Sequence, residues 1–162
     1  MDLGLTGKVA MITGGTHGLG KQVALALARE GCKVSVCGRG QEGLESMLKE
    51  FAELGYQSIG TQADMTKEED VLRFHHDTVK AWGPPDVLVN NVGGRRGSAI
   101  FEETSLDQFR QGLEVNVVSA FHLTSMVVPS MKSRKWGRIV NIASIWGREY
   151  GGAIDYMVGK AG

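Results

Sequence analysis

The chain has 162 residues, of which 42% are hydrophobic and 22% charged, a composition that suits one folded domain of ordinary size. Its formal net charge of zero argues against a nucleic-acid-binding protein, which would usually present a basic face. The two cysteines, Cys32 and Cys37, have no zinc-ligand spacing, and no apolar stretch approaches the length of a membrane span. We therefore expect a reduced cytoplasmic protein with no metal site, no membrane contact and no nucleic-acid partner.

Short apolar runs alternate along the chain with longer amphipathic stretches, a pattern that predicts strands and helices in turn. In chain order it predicts strand 8–13, helix 19–30, strand 33–37, helix 41–54, strand 58–62, helix 67–82, strand 86–90, helix 105–132, strand 137–143 and a last helix from about Asp155. Thr66 and Glu69 predict a capping box at the third helix, and Ser105 predicts a cap at the fourth. Five strands alternating with four helices predict an α/β fold: a Rossmann-type, doubly wound parallel sheet in strand order 3-2-1-4-5.

A glycine-rich loop, from Thr13 to Gly20, follows the first predicted strand and opens the first predicted helix. In such a loop Gly14 permits a sharp turn, Gly18 lets the backbone approach a phosphate, and Gly20 lets the helix pack on the strand. The free N–H groups and the positive end of the helix dipole then face the phosphates. A purely structural turn is the alternative, but the position between a strand and a helix favours a dinucleotide site.

The second predicted strand is followed by Gly38 and Arg39, where dinucleotide-binding domains distinguish NAD from NADP. A carboxylate there would accept hydrogen bonds from ribose hydroxyls and select NAD, whereas an arginine accommodates the 2′-phosphate of NADP. The planar guanidinium group offers a fork of donors that suits phosphate oxygens. A solvated arginine on a turn is the alternative, and the lack of an acid at Gly38 favours NADP(H).

Five motifs in chain order resemble those of the short-chain dehydrogenase/reductase family, in its classical branch. They are the T-G-x-x-x-G-x-G loop at 13–20, the N-N-x-G segment at 90–93, Asn116 within a helix, Ser144 after the fifth strand, and the Y-x-x-x-K pair Tyr156 and Lys160. Asp64, after the third strand, resembles the family residue that contacts adenine. The interval from Ser144 to Tyr156 is one residue shorter than the commonest pattern, and we expect the glycine-rich loop between them to absorb the difference.

The residue types at the end of the chain suit proton transfer. Tyr156 and Lys160 are four residues apart, so they share one face of a helix. A phenol alone is a weak acid at neutral pH, and a nearby ammonium group favours its ionised form, so the pair predicts an acid–base catalyst. Ser144 can donate a hydrogen bond to the substrate oxygen. The resemblance implies that Lys160 also holds the nicotinamide ribose and that Asn116 supports a water in a proton relay.

These arguments define two predicted sets of site residues, although each residue alone could be a surface, turn or solvent-facing side chain. The catalytic set is Asn116, Ser144, Tyr156 and Lys160. The cofactor-binding set is Gly14, Thr16, His17, Gly18, Leu19, Gly20, Arg39, Asp64, Asn91, Gly93, Tyr156 and Lys160. His75, His76 and His122 fit wet helix surfaces better than a ligand site. Arg95 and Arg96 follow the fourth strand and could contact an anionic substrate or a cofactor phosphate, or lie in a solvated loop.

The sequence thus predicts a single NAD(P)-binding domain over residues 1–162 that oxidises an alcohol or reduces a ketone, preferring NADP(H) to NAD(H). Two alternatives remain open: reduction of a 3-oxoacyl thioester carried by acyl carrier protein, and a non-catalytic NADP-binding fragment. Because the last predicted helix stops after one or two turns, we expect a C-terminally incomplete domain with little activity and an exposed fifth strand. A longer form is expected to take a small carbonyl or alcohol substrate and to form a homodimer or homotetramer.

Overall fold

The structure, a computed structural model, describes residues 2–162 as alternating strands and helices. The strands are β1 (Val9–Thr13), β2 (Lys33–Gly38), β3 (Ser58–Gln62), β4 (Val87–Asn90) and β5 (Arg138–Asn141). The helices are α1 (Gly18–Arg29), α2 (Gln41–Glu53), α3 (Glu68–Trp82), α4 (Leu106–Leu113), α5 (Ser119–Ser133) and α6 (Ile154–Ala161). Every predicted strand and helix occurs, with ends that differ from the prediction by at most two residues.

All five strands are parallel and lie in the order β3-β2-β1-β4-β5, which confirms the predicted sheet. The central strand is β1, where Met11 pairs with Ser35 of β2 on one side and with Leu88 of β4 on the other. The order of strands reverses between β1 and β4. In an open parallel sheet such a reversal opens a crevice beyond the carboxyl ends of the two strands, where ligands bind.

Two apolar clusters cover the two faces of the sheet. One contains Ile12 and Val34 from the strands and Phe51 from α2. The other contains Met11 from β1 and Phe74 from α3. Neighbouring residues of a strand point to opposite faces, so Met11 and Ile12 enter different clusters. Full burial of each such side chain contributes about 1.5–3 kcal/mol, and the helices on both faces make the sheet doubly wound as predicted.

The structure confirms one predicted helix cap and corrects the other. Ser105 caps α4 in a capping box, since its hydroxyl accepts from the N–H of Gln108 and the Gln108 side chain accepts from the N–H of Ser105. The predicted capping box of Thr66 and Glu69 is wrong. Helix α3 begins after Lys67 without any side-chain cap. The Thr66 hydroxyl instead donates to Asp64 Oδ1 at 2.8 Å, so it holds the turn that precedes the helix.

The predicted helix 105–132 is interrupted by a wide turn. Between α4 and α5, residues Glu114–Val118 form a π-helical segment, in which the N–H of Ser119 bonds to the carbonyl of Glu114, five residues earlier. Such widened turns often occur at functional sites. This one places Asn116 on the inner side of the helix, where it is buried. Hydrophobic periodicity gives no signal for one extra residue in a turn, so the prediction contained a regular helix.

Strand β5 forms one edge of the sheet, as expected, and its four residues are exposed. Ile139 and Val140 present apolar side chains there, with 37% and 46% of their surface exposed. The two cysteines are free and buried within the core, and burial raises the pKa of the Cys37 thiol to about 12. Among residues 2–162, no helix combines the length and the hydropathy needed to cross a bilayer.

Candidate active site

The glycine loop between β1 and α1 adopts the turn that the sequence predicts. Gly14 and Gly18 have φ angles of +65° and +54°, a region that side chains with a Cβ rarely adopt. Gly20 packs directly against the carbonyl of Gly14, where a Cβ would collide with the backbone. Open space surrounds the Cα of Gly18, so its backbone is accessible to a ligand. The three glycines therefore play the separate roles expected of them.

The first turn of α1 has no side-chain cap. His17 occupies the N-cap position without accepting a backbone hydrogen bond, and its ring Nδ1 lies 3.0 Å from the Thr16 hydroxyl. The first turn also contains no acidic residue. Backbone N–H groups at the start of a helix have no partner within the helix, and the helix dipole adds a positive potential. This end of α1 is thus open to a phosphate group.

Asn91 fixes the glycine loop to the end of β4. Its side-chain amide donates to the carbonyl of Thr13 at 2.9 Å and to that of Gly14 at 3.2 Å. In return the Thr13 hydroxyl accepts from the N–H groups of Asn91 and Val92. These bonds join the two strands that flank the crevice. The sequence predicted a cofactor contact for Asn91, and the structure shows that its side chain also sets the shape of the loop.

A cleft of about 530 Å³ opens beyond β1, β2 and β4. Every predicted cofactor-binding residue except Tyr156 and Lys160 lines it, namely Gly14, Thr16, His17, Gly18, Leu19, Gly20, Arg39, Asp64, Asn91 and Gly93. The sequence analysis missed several other lining residues, among them Gly43, Met65 and Val115. These residues belong to no sequence motif. They reach the cleft only because α2, the loop after β3 and the long helix pack around it.

Arg39 and Asp64 lie at the same end of the cleft. Burial tends to raise the pKa of the Asp64 carboxyl, but two hydrogen bonds from Thr66 and the nearby positive charges of Arg39 and Lys67 outweigh it and lower the pKa overall. Asp64 is therefore ionised at neutral pH. The carbonyl of Arg39 accepts a hydrogen bond from the Gln62 side chain, while its guanidinium group is exposed beside the cleft. A phosphate could reach this arginine without displacing an ion pair.

Tyr156 and Lys160 project from one face of α6 toward the crevice. The Lys160 Nζ lies 5.8 Å from the centre of the Tyr156 ring and donates to the carbonyl of Ile142 at 2.8 Å. It also lies so close to Gly93 that a Cβ there would stand 2.7 Å from it. Burial lowers the pKa of the Lys160 ammonium group. Lys160 thus reaches the rim of the cleft, and Tyr156 borders a second cavity beside it.

Asn116 clamps the loop that follows β4. Its Oδ1 accepts from the N–H of Gly94 at 3.0 Å, and its Nδ2 donates to the carbonyls of Gly94 and Gly112 at 2.8 and 2.7 Å. Both amide hydrogens and one of the two lone pairs are therefore used within the protein. The predicted water relay needs the remaining lone pair and stays a prediction. The side chain is buried, so the solvent-facing alternative is wrong.

Ser144 starts a short turn between β5 and α6. Its hydroxyl oxygen accepts from the N–H of Trp146, which leaves the hydroxyl hydrogen free to donate elsewhere. The turn, Ile145–Gly147, packs on α6 so closely that a Cβ on Gly147 would collide with the backbone of Lys160. The structure therefore packs the turn that Ser144 starts against the helix that carries Tyr156 and Lys160. Ser144 itself lines neither of the two cavities, and its contact with a substrate oxygen stays a prediction.

The sequence analysis gave no role to Asp155, the residue before Tyr156, yet its side chain is fully buried. Its Oδ2 accepts from the N–H of Arg96 at 2.6 Å, and its Oδ1 has no hydrogen-bond partner among the described residues. The carboxylate lies against Gly112 of α4 and Gly97 of the β4 loop, where a Cβ would crowd it. Asp155 thus ties the helix of Tyr156 to the loop after β4.

Gly112 and Gly43, both in helices, are expected to respond to alanine in opposite directions. A Cβ on Gly112 would collide with Asp155, so Gly112→Ala should destabilise the fold by about 1–3 kcal/mol. A Cβ on Gly43 meets nothing nearer than 3.7 Å, so Gly43→Ala should stabilise it by up to about 1 kcal/mol. Urea unfolding followed by circular dichroism measures both. A Gly112→Ala protein as stable as Gly43→Ala would show that Asp155 is not packed on α4.

Other candidate residues lie outside this arrangement. His75, His76 and His122 lie on α3 and α5 and line neither cavity. No group of three His, Cys, Asp or Glu side chains within residues 2–162 has the arrangement of a metal site. Arg95 and Arg96 line different cavities. Arg96 lines the large cleft, whereas Arg95 lines the second cavity together with Tyr156.

Comparisons with known proteins agree with this geometry. A family model described as short chain dehydrogenase matches residues 8–162. The chain is 32% identical to a 3-oxoacyl-(acyl-carrier-protein) reductase of Aquifex aeolicus, with 100% of this chain and 66% of that protein covered. Curated relatives that it matches are covered over 54% to 66% of their length, so the chain spans little more than half of some of them.

Two solved structures superpose on the chain with a TM-score of 0.91. One is an actinorhodin polyketide ketoreductase variant with NADPH, at 36% identity, with 96% of this chain and 60% of that chain covered. The other is 7 alpha-hydroxysteroid dehydrogenase with NADH and 7-oxo glycochenodeoxycholic acid, at 32% identity, with 97% and 61% covered. The shared architecture is the sheet and helices described above.

Proposed function

Because the chain belongs to the short-chain dehydrogenase family, we propose that the protein moves a hydride between NADP(H) and a carbonyl or alcohol carbon of a small molecule. One observation carries the proposal: Tyr156 lines a second cavity, while the Lys160 ammonium group, on the same helix, lies against Gly93, which lines the large cleft. A proton donor therefore stands beside the space in which a nicotinamide and a substrate can meet. Named relatives that are dehydrogenases and reductases support this class of reaction.

A bound nicotinamide ring would donate or accept the hydride, and the protein's own residues handle the proton. In the direction of carbonyl reduction, Tyr156 donates its hydroxyl proton to the substrate oxygen. The Lys160 ammonium group favours the phenolate that remains. Ser144 donates a second hydrogen bond to the same oxygen, and Asn116 orders a water that returns the proton. In the direction of oxidation each of these steps runs in reverse.

Three features of the cleft fit a dinucleotide cofactor. The uncapped first turn of α1 and the open backbone at Gly18 suit its pyrophosphate. The ionised Asp64 can accept a hydrogen bond from the adenine amino group. Lys160, at the Gly93 rim, can hold the ribose next to the nicotinamide. These positions follow the order of the cofactor's parts along the cleft.

We further propose that NADP(H) is preferred to NAD(H), because Arg39 lines the adenosine end of the cleft and Gly38 offers no carboxylate. Arg39→Ala removes a charge-assisted contact to the 2′-phosphate, worth roughly 1.5–3 kcal/mol. It should raise the Kd for NADPH about tenfold or more and leave that for NADH nearly unchanged. Fluorescence titration of the purified protein measures both constants, with Arg110→Ala, on the exposed side of α4, as the control. Equal affinities of the unaltered protein for NADPH and NADH would refute the preference.

A rate assay beside a binding titration tests the proposed reaction itself. NADPH consumption is followed with a panel of ketones that includes 3-oxoacyl thioesters, the substrates that the similarity to a 3-oxoacyl-(acyl-carrier-protein) reductase favours. Turnover of any member supports an oxidoreductase, and turnover of thioesters alone selects the narrower activity. Cofactor binding without turnover in a protein that includes this chain would instead favour a non-catalytic NADP-binding role.

The surface of the long helix supports a homodimer or homotetramer. Leu106 of α4, Val118 of the π-helical segment and Phe121 of α5 are exposed, and 71% of the Phe121 surface is accessible. Exposed apolar side chains on adjacent helices are typical of an interface between subunits. Light scattering of the purified protein tests this assembly. A cytoplasmic location is part of the same proposal, and the two free, buried thiols are consistent with a reducing compartment.

A further inference from the structure

A second cavity of about 310 Å³ lies beside Tyr156, on the other side of Gly94 from the cofactor cleft. Trp146 lines the cavity, and so does Arg95, which belongs to the loop after β4. Much of the rest is main chain, from Gly151, Gly152 and Ala153. Ligand pockets commonly have volumes of about 300–1,000 Å³. The cavity is therefore large enough for a small ligand, and the side chains of Trp146 and Tyr156 both line it.

Arg95 is the one charged residue among those that line this cavity, and no acidic side chain accompanies it. Within residues 2–162, neither Arg95 nor Arg96 forms an ion pair with a carboxylate. Asp155, in the first turn of α6, accepts a hydrogen bond at Oδ2 from the backbone N–H of Arg96. This bond does not involve a guanidinium group. The positive charge of Arg95 thus remains available to an anion.

The loop that carries Arg95 is fixed on both sides of this residue. On one side, Asn116 holds both the N–H and the carbonyl of Gly94. On the other side, Asp155 holds the N–H of Arg96. Because Asp155 directly precedes Tyr156, the second bond also sets the position of the Arg95 backbone relative to the proton donor. A binding group held in this way loses little freedom when a ligand arrives.

The neighbouring arginine, Arg96, has a different position from Arg95. This difference separates the two roles that the sequence left open, contact with an anionic substrate and contact with a cofactor phosphate. The Arg96 guanidinium turns back, and its Nη1 donates to the carbonyl of Arg95 at 3.1 Å. Arg96 lines the large cleft together with the glycine loop. Arg95 instead lines the cavity that contains Tyr156 and Trp146. An anion near Arg95 would therefore belong to the substrate and not to the cofactor.

We propose that the substrate is a compact oxo or hydroxy acid whose carboxylate binds Arg95 while its carbonyl or hydroxyl oxygen meets Tyr156. The proposal rests on the proposed function, and it adds the chemical class of the substrate. A guanidinium group presents paired donors that match the two oxygens of a carboxylate. Trp146 covers the carbon chain between the two ends of the molecule. Neutral ketones of the same size lack the group that Arg95 recognises.

Matched pairs of substrates isolate the carboxylate. Four- to six-carbon 2-, 3- and 4-oxo acids are compared with their methyl esters, at saturating NADPH, by the initial rate of NADPH oxidation. For at least one pair, kcat/KM should be roughly ten- to a hundredfold higher for the acid, the range expected for one charged hydrogen bond. Arg95→Gln should lower the acid-to-ester ratio by a similar factor, and Arg95→Lys should restore part of it. Arg110→Gln is the control with an exposed arginine that does not line the cavity.

A binding measurement separates failure of this proposal from failure of the proposed function. Calorimetry compares the oxo acids and their methyl esters on the NADP⁺-loaded protein, a combination in which no hydride can be transferred, with and without Arg95→Gln. Turnover of esters and acids with equal kcat/KM, or an acid preference that survives Arg95→Gln, overturns the role of Arg95 while the oxidoreductase stands. In a protein that includes this chain, absence of all turnover despite cofactor binding contradicts the proposed function, and tighter binding of acids that depends on Arg95 would then still support the anion site. Equal binding of acids and esters would overturn it.

Discussion

In a longer form of the protein that includes this chain, Tyr156→Phe is expected to lower kcat by a factor on the order of 10²–10⁴, the usual contribution of general acid–base catalysis. The substitution removes the hydroxyl that donates the proton but keeps the ring, so the packing of α6 against the β4 loop should not change. The Kd for NADPH should therefore stay within about twofold, because no phosphate or adenine contact is lost. Steady-state kinetics with a ketone substrate and a fluorescence titration with NADPH measure the two effects.

Tyr150→Phe is the matched control for this experiment. Tyr150 lies six residues earlier, and 90% of its surface is exposed. Tyr150→Phe removes the same hydroxyl group, but Tyr150 does not line the cavity, so kcat should be unaffected. A near-normal rate for Tyr156→Phe would mean that the proton comes from another group, and Ser144 would then be the first residue to test. A large loss of NADPH affinity would mean instead that the ring or hydroxyl contacts the cofactor.

Features that depend on a short stretch of sequence could be predicted well. The short apolar runs predicted the strands, most clearly for β1, which is covered on both faces and buried throughout. The glycine loop could be predicted with the role of each glycine, because a positive φ angle at Gly14 and Gly18 leaves a direct trace in the sequence. The right-handed connection of strands then determines much of the strand order.

Features that depend on distant partners could not be predicted. Asp155 has the appearance of an exposed acid in the first turn of a helix, yet it is buried because Gly97 and Gly112 leave room for it. Thr66 has the spacing of a helix cap, yet the N-cap position of α3 is Lys67, and the Thr66 hydroxyl donates to Asp64 in the preceding turn. The motif identified Asn116, but the bonds of its side chain to Gly94 and Gly112 require the wide turn between α4 and α5.

At the candidate site, the different positions of Arg95 and Arg96 could likewise not be predicted from the sequence. Adjacent residues in a loop have no periodicity that tells which one faces a given cavity. The backbone bonds of Gly94 to Asn116 and of Arg96 to Asp155 determine the direction of each side chain. The sequence could therefore predict that an anion site was conceivable after β4. Only the structure distinguishes an arginine of the cofactor cleft from one beside Tyr156.

Lys160→Met is expected to damage both turnover and cofactor binding, in contrast to Tyr156→Phe. Its ammonium group lies at the Gly93 rim of the cleft and near the Tyr156 ring, so one substitution removes both the proposed ribose contact and the charge proposed to favour the phenolate. The Kd for NADPH should rise roughly tenfold, as for one charged hydrogen bond, and kcat should fall on the order of 10²-fold or more. Kinetics and a fluorescence titration measure these effects, with Lys132→Met on the exposed face of α5 as the control.

The pH dependence of stability gives Lys160→Met a further readout that does not depend on activity. Burial lowers the pKa of Lys160 below its ordinary value of 10.5 in the folded state, so between the two values the unfolded chain binds more protons. The contribution of Lys160 to the free energy of unfolding therefore rises with pH across that window, because the cost of burying the charged ammonium group is present at lower pH. Lys160→Met should lose this rise, whereas Lys132→Met should keep it. Urea unfolding between pH 7 and the alkaline limit measures the difference, and identical pH profiles for the two variants would show that the Lys160 ammonium group is fully solvated.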